Sequence, residues 1–242
     1  MIKAVFFDVD NTLYDFERVR RYGLLMALQH LYERLPNTRG RITLELLMKL
    51  REQVAVEMPD ADSRLIEVRT ESFRRALAIC GHKDDLAPDL ARIYYETRFC
   101  CATPYSGTLE VLPRLHGRYV LGIISNGDTQ LGEIGIKNCF DHIIMADEVG
   151  FAKPDRRIFE IAMDRVPCRP DEFIYVGDSP ELDVVGAKNA GARVVWFNPS
   201  GQTYPAGLAP PDFEISDLGE LVGVIERICC EKFVVPPSGG LI

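Results

Sequence analysis

Residues 2–7 form an apolar run, Ile-Lys-Ala-Val-Phe-Phe, broken only by Lys3, and the run then stops at acids. A strand without polar alternation cannot leave one face wet. It needs cover on both faces, as in a parallel sheet with helices packed above and below. Asp8 and Asp10 follow at once. Two carboxylates two residues apart at the end of an extended segment leave the backbone on the same side. Their repulsion and desolvation are unfavourable unless a cation lies between them or one holds a proton. Aspartates also close strands into turns by bonding their own backbone, so the pair needs support from the rest of the chain.

Beyond Tyr14 the pattern is helical as far as residue 101. Apolar residues recur at three- and four-residue spacing, from Tyr22 through Leu25, Met26, Leu28 and Leu31 to Leu35, then from Leu44 to Val54. Pro36-Asn37-Thr38-Arg39-Gly40 separates those two helices. A third is expected over 62–79, ended by Gly81 in a left-handed position, and a fourth over 86–99 with Pro88 in its first turn. From residue 103 strands alternate with helices: strands at 119–124, 142–146, 173–176, 193–197 and 213–215, with helices expected at 107–116, 130–138, 155–165, 183–190 and 217–230. That alternation predicts an α/β fold with a doubly wound parallel sheet and right-handed crossovers. The helical block interrupts it after the first strand. The expected division is an α/β core of 1–14 with 103–230, a helical insert of 15–102, and a mobile tail of 231–242.

The chain has 242 residues and a net charge of -8, from 36 acids against 28 Lys and Arg. That balance argues against a binder of nucleic acid polymers. A small anionic substrate would meet positive charge only where the site itself supplies it. The seven cysteines are odd in number, lack CxxC spacing and include two adjacent pairs, which is poor disulfide geometry. Reduced thiols are expected, and with them a cytoplasmic protein. No stretch approaches the roughly 18 apolar residues of a membrane span, so no membrane partner is expected. Oligomeric state is not readable from the sequence.

In doubly wound sheets ligands bind beyond the carboxyl ends of the strands. The conspicuous polar residues obey that rule. Asp8, Asp10 and Thr12 follow the first strand, Ser125 and Asn126 the second, Lys153 the third, and Asp178 and Asp183 the fourth. Each has an ordinary explanation alone: a turn, a helix cap, a solvated lysine, a first-turn acid favoured by the helix dipole. Four clusters on one sheet edge, in this order, leave those explanations improbable. The string FFDVDNTLYD, the Ser after the second strand, the Lys and the GDxxxxD together resemble the four motifs of the haloacid dehalogenase superfamily. That family consists mostly of phosphatases with an aspartate nucleophile.

The resemblance implies roles. Asp8 would attack phosphorus and form an aspartyl-phosphate, with Asp10 as general acid and base. Mg²⁺ would be held by the Asp8 carboxylate, the Asp10 backbone carbonyl and Asp178. Ser125, the Asn126 amide and Lys153 would bind the phosphoryl oxygens. Thr12 and Asp183 would support from behind, Asp183 by orienting Lys153 or a metal-bound water. The insert would be the family's cap, setting specificity for a small phosphorylated metabolite such as a nucleotide or sugar phosphate. A phosphomutase would share all these residues. A 2-haloacid dehalogenase would lack Asp10 and carry a different fourth motif, and a non-catalytic binding protein would have no need of the full set.

Overall fold

The computed structural model describes residues 1–58, 64–82, 85–129 and 131–231. The chain divides into two compact units: the first comprises 1–13, 104–125 and 136–242, the second 14–103 and 126–135.

The first unit is built on one six-stranded sheet. Its strands are β1 (Ala4–Phe7), β2 (Val120–Ser125), β3 (His142–Met145), β4 (Phe173–Gly177), β5 (Arg193–Phe197) and β6 (Phe213–Ile215). They are ordered β3-β2-β1-β4-β5-β6 and every pair is parallel. The apolar run at the start of the chain is therefore central, with β2 on one side and β4 on the other. All four β1 residues are fully buried, as a strand covered on both faces requires. On one face Ala4, Phe6, Tyr175 and Trp196 pack with Ile158, Phe159 and Ala162 of α7 (Arg156–Arg165) and Ala187 of α8 (Val185–Asn189). The opposite pleat carries Val5, Phe7, Leu121, Ile123, Ile174 and Val176, equally buried. The remaining helices of this unit are α5 (Ser106–Leu115), the short α6 (Ala146–Val149) and α9 (Leu221–Glu231).

The second unit holds α1 (Phe16–Arg34), α2 (Leu44–Glu57), α3 (Leu65–Ile79) and α4 (Ala87–Cys100). Asp15 caps α1 by accepting from the Arg18 amide, and Thr43 caps α2 by accepting from Leu46 N at 3.2 Å. The apolar spacing of the four helices becomes one shared core of Leu24, Leu28, Leu31, Leu47, Phe73, Leu77, Leu90 and Tyr94. Gly23 lets α1 and α4 meet closely: a Cβ there would lie 2.8 Å from the Tyr94 carbonyl oxygen. Gly81 adopts the left-handed conformation expected of it, at φ 76°.

Two expectations need correction or limitation. The helix expected over 130–138 does not form: 131–135 are turns and only Lys137–Cys139 winds into a 3₁₀ turn. Gly135 takes φ 76° there, and two glycines in so short a segment weaken a helix by about 1 kcal/mol each. The proposed tail lies outside the described residues from 232 onward, as do residue 130 and residues 62–63 of the expected third helix.

Candidate active site

The candidate residues of the first unit collect at the carboxyl edge of its sheet. Asp8 is the first residue past β1 and its amide donates to the Val176 carbonyl, continuing the β1–β4 ladder by one step. The chain then turns through Asn11, a non-glycine residue at φ 65°, which asparagine tolerates. The turn returns Thr12, whose hydroxyl donates to Asp8 Oδ2 at 2.9 Å and lies 3.4 Å from Asp178 Oδ1. Asp10 is half-buried two residues beyond Asp8. Ser125 is buried at the last position of β2, and Asn126, half-buried, begins the segment that belongs to the second unit.

Lys153 lies in the loop between α6 and α7, where the Lys153-Pro154 peptide bond is cis. Its side chain is 3% exposed, and Nζ donates to Asp8 Oδ1 at 2.6 Å, Asp183 Oδ1 at 2.7 Å and the Tyr175 hydroxyl at 3.0 Å. All three ammonium hydrogens thus have acceptors. Asp183 is reached through a wide π-type turn over Pro180–Val184, in which Val184 N donates to the Ser179 carbonyl five residues back. That turn brings Asp183 Oδ2 to within 2.9 Å of the Ser179 amide. The approach needs Gly177, since a Cβ there would fall 2.4 Å from Asp183 Cγ. Asp178 is half-buried, and Trp196 Nε1 donates to its backbone carbonyl at 2.8 Å.

The site carries more negative than positive charge. Burial raises the Asp8 carboxyl, the Lys153 charge opposes that, and Asp183 and Asp10 add to it, leaving Asp8 pushed up to about 7. Burial, then the charges of Asp8 and Asp183, push Asp178 up to about 8 against the opposing effect of Lys153. Burial alone would lower Lys153, but Asp183 and Asp8 outweigh it and hold the ammonium well above its ordinary range. Asp8, Asp178 and Asp183 each offer an oxygen within 4.8 Å of the others'. Three carboxylates against one ammonium, all oxygen donors, fit a hard divalent cation. The sequence-based ligand set paired Asp8 and Asp178 with Asp10; the side-chain cluster adds Asp183 to Asp8 and Asp178, although both Asp183 oxygens already accept protein hydrogen bonds.

Two contributors escaped the sequence reading. Tyr175 sits inside the apolar string Phe-Ile-Tyr-Val-Gly of β4, where nothing marks its hydroxyl as polar machinery. Trp196 is hidden in the same way within β5.

A family model described as haloacid dehalogenase-like hydrolase matches residues 2–191. The chain belongs to that family. Among its relatives, the glyceraldehyde 3-phosphate phosphatase of Methanothermobacter thermautotrophicus is 34% identical over 206 residues, covering 82% of this chain and 86% of that protein. The N-acylneuraminate-9-phosphatase of Rattus norvegicus is 29% identical over 241 residues, 95% of this chain and 96% of that one. Among solved structures, a 2-haloacid dehalogenase from Pseudomonas syringae pv. Tomato DC3000 superposes with a TM-score of 0.76 at 30% identity, covering 94% of this chain and 99% of that one. The expected family and parallel α/β fold are therefore established, and with these relatives the hydrolase is of the phosphatase type. No helix among the described residues is long and apolar enough to cross a membrane.

Proposed function

We propose that this hydrolase cleaves small phosphomonoesters with Mg²⁺ through an aspartyl-phosphate on Asp8. The observation that carries the reading is the Asp8 carboxylate held by Lys153 at 2.6 Å and Thr12 at 2.9 Å at the centre of an acid-rich cluster. Those two bonds fix the direction of the carboxylate, which a nucleophile attacking phosphorus in line requires. An oxygen of Asp8 bonds to phosphorus as the bond to the leaving alkoxide breaks, and Asp10 gives that alkoxide its proton. In the second half Asp10 takes a proton from water, the water oxygen bonds to phosphorus, and the acyl-phosphate bond breaks to return Asp8 and free phosphate. Ser125 and the Asn126 amide bind the phosphoryl oxygens, and Lys153 offsets charge that gathers on them in the transition state. Asp183 orients Lys153. Mg²⁺, held by Asp8 and Asp178 with the Asp10 carbonyl, would neutralise the meeting of an anionic nucleophile with an anionic ester.

The 2-haloacid dehalogenase among the solved neighbours makes the carbon-attacking reaction the competing class. Asp10 and Asp178 favour phosphoryl transfer, because attack on an uncharged carbon needs neither a second acid for an alkoxide nor metal-binding charge. Sugar and triose phosphates head the substrate classes, in line with the glyceraldehyde 3-phosphate and N-acylneuraminate phosphatases, followed by nucleotides. The seven free thiols fit a cytoplasmic setting. The deciding experiment assays a panel of phosphomonoesters with Mg²⁺ or EDTA, beside Asp8→Asn. Metal-dependent phosphate release by the wild type only is the expected result. Chloride release from 2-haloacids without metal would overturn the reading, and interconversion of sugar-phosphate isomers with little free phosphate would replace hydrolysis by a mutase.

A further inference from the structure

Tyr175 is fully buried in the middle of β4, at a position where an aliphatic side chain would cost nothing in lost hydration. Its ring packs edge-on to Phe159, with centroids 5.0 Å apart and planes at 89°. The hydroxyl stands near three polar atoms that come from three different segments. Lys153 Nζ is 3.0 Å away, Asp183 Oδ1 3.1 Å and the Ile124 carbonyl oxygen 3.2 Å. A phenol has one hydrogen and two lone pairs, so it accepts from the ammonium and donates to the carboxylate or the carbonyl.

The placement of those atoms gives the hydroxyl its significance. Ile124 immediately precedes Ser125 on β2, while Tyr175 is on β4, and the two strands flank β1 on opposite sides. Tyr175 lies level with Phe6 in the β1–β4 register, and Phe6 is on the same side of β1 as Asp8, two residues earlier. The phenol therefore reaches across the central strand just below Asp8. It joins the end of β2, the lysine loop and the turn carrying Asp183 at one oxygen atom.

Lys153 is held from several directions at once. Two of its bonds go to carboxylates: Asp183, held in turn by the Ser179 amide, fixes the ammonium from one side, while Asp8 exchanges part of its bonding to Lys153 for phosphorus during the reaction. The bond to Tyr175 goes to a neutral group anchored in the sheet. We infer that Tyr175 is a positioning residue, which sets the location of the Lys153 ammonium and the end of β2 for the phosphoryl group in flight. The inference rests on the proposed phosphatase reading and names a residue that this reading does not need.

Tyr175→Phe keeps the ring and its packing on Phe159 and removes only the oxygen. With 4-nitrophenyl phosphate at saturating Mg²⁺, kcat is expected to fall about tenfold, the size typical of groups that orient catalytic side chains, while KM stays within twofold. Orthovanadate, which adopts the five-coordinate geometry of the transition state, should inhibit the variant about tenfold less well, with inhibition by inorganic phosphate little changed. The thermal midpoint should stay close to that of the wild type. Wild-type kcat and vanadate inhibition in Tyr175→Phe would overturn the inference, as would activity and vanadate inhibition lost only in proportion to unfolded protein. Asp8→Asn and Lys153→Ala run alongside separate the two levels. If they are inactive while Tyr175→Phe is normal, only the inference fails. If Asp8→Asn matches the wild type, the phosphatase reading itself fails.

Discussion

Lys153 and Arg98 are two buried cations, one in each unit, with side chains 3% and 4% exposed. Their surroundings differ in kind. Lys153 stands among Asp8, Asp183 and, behind them, Asp178, and its compact charge is spent on short bonds to oxygen. Arg98 forms an ion pair with Asp128, and its flat guanidinium is otherwise enclosed by aromatic rings, with Phe99 at 4.6 Å, Tyr95 at 4.9 Å, Phe16 at 5.5 Å and Tyr94 at 5.8 Å to the centroids. One acid balances one base there, and the rings supply the rest of the attraction. The Arg98 arrangement balances charge one to one, although Arg98 Nε and Asp128 Oδ2 are buried without a hydrogen-bond partner. The Lys153 arrangement carries excess negative charge, which is costly to bury unless a cation offsets it.

The Arg98 pair also has a structural task. Asp128 and Thr129 lie in the 126–135 segment, and Thr129 shares a 2.9 Å hydrogen bond with the buried Tyr14 hydroxyl. Those side-chain bonds account for that segment joining the helices of its unit. It leaves the sheet directly after Ser125.

Experiments that attack each cation in turn test the contrast. In the proposed mechanism Asp8→Asn removes the nucleophile and with it the covalent route, so kcat should fall by about 10⁴-fold or more. Lys153→Ala should lower it by about 10²- to 10³-fold, the loss typical of one group that stabilises transition-state charge, and Lys153→Arg should restore little because a planar fork cannot replace three short radial bonds. Steady-state phosphate release measures both. Arg98→Met should leave catalysis per folded molecule far less affected but cost about 3 kcal/mol in urea unfolding, by stranding a largely buried Asp128 carboxylate. A second change, Asp128→Leu, should recover part of that loss in a double-mutant cycle.

Proton linkage distinguishes the two centres further. Asp8 and Asp178 have their carboxyls raised to about 7 and about 8, so without metal the folded protein holds protons that the unfolded chain releases near pH 4. Unfolding therefore releases protons between those values, and the stability of the metal-free protein should fall as pH rises from about 4 to 8. Mg²⁺ competes with those protons. Its stabilising effect should grow over the same interval, by several degrees of thermal midpoint between pH 6 and pH 8, and should vanish in Asp178→Ala. A midpoint that rises with pH in EDTA would contradict this charge balance. The smallest effect is expected for Arg98→Lys, which keeps the charge and loses the stacking, at about 1 kcal/mol.

Much of this was readable before any coordinates. The run at 2–7 called for a strand buried on both faces, and β1 is the central strand of a parallel sheet. The three- and four-residue spacing up to residue 101 marked α1 to α4 within a few residues of their ends, because an amphipathic face is a local property. The turn segment at 131–135 was misread as helix, since its apolar residues Leu131, Ile134 and Ile136 have helical spacing while their burial comes from tertiary contacts around a turn. Tyr175 could not be singled out, because a tyrosine in an apolar strand is ordinary until its hydroxyl is seen beside Lys153, 22 residues away.

By itself the sequence determined most of the elements, with the segment at 131–135 the exception, as well as the sheet edge at which the acids and the lysine fall, and the family. These follow from periodicity, strand ends and residue type, all of which are written within a few neighbouring positions. Only the tertiary structure decided that Lys153 bonds Asp8 across a separation of 145 residues, that Asp183 turns back onto it, and that a phenol closes the group. The reason is that hydrogen bonds depend on distances of a few tenths of an ångström between side chains remote in the chain, and no local pattern encodes those distances.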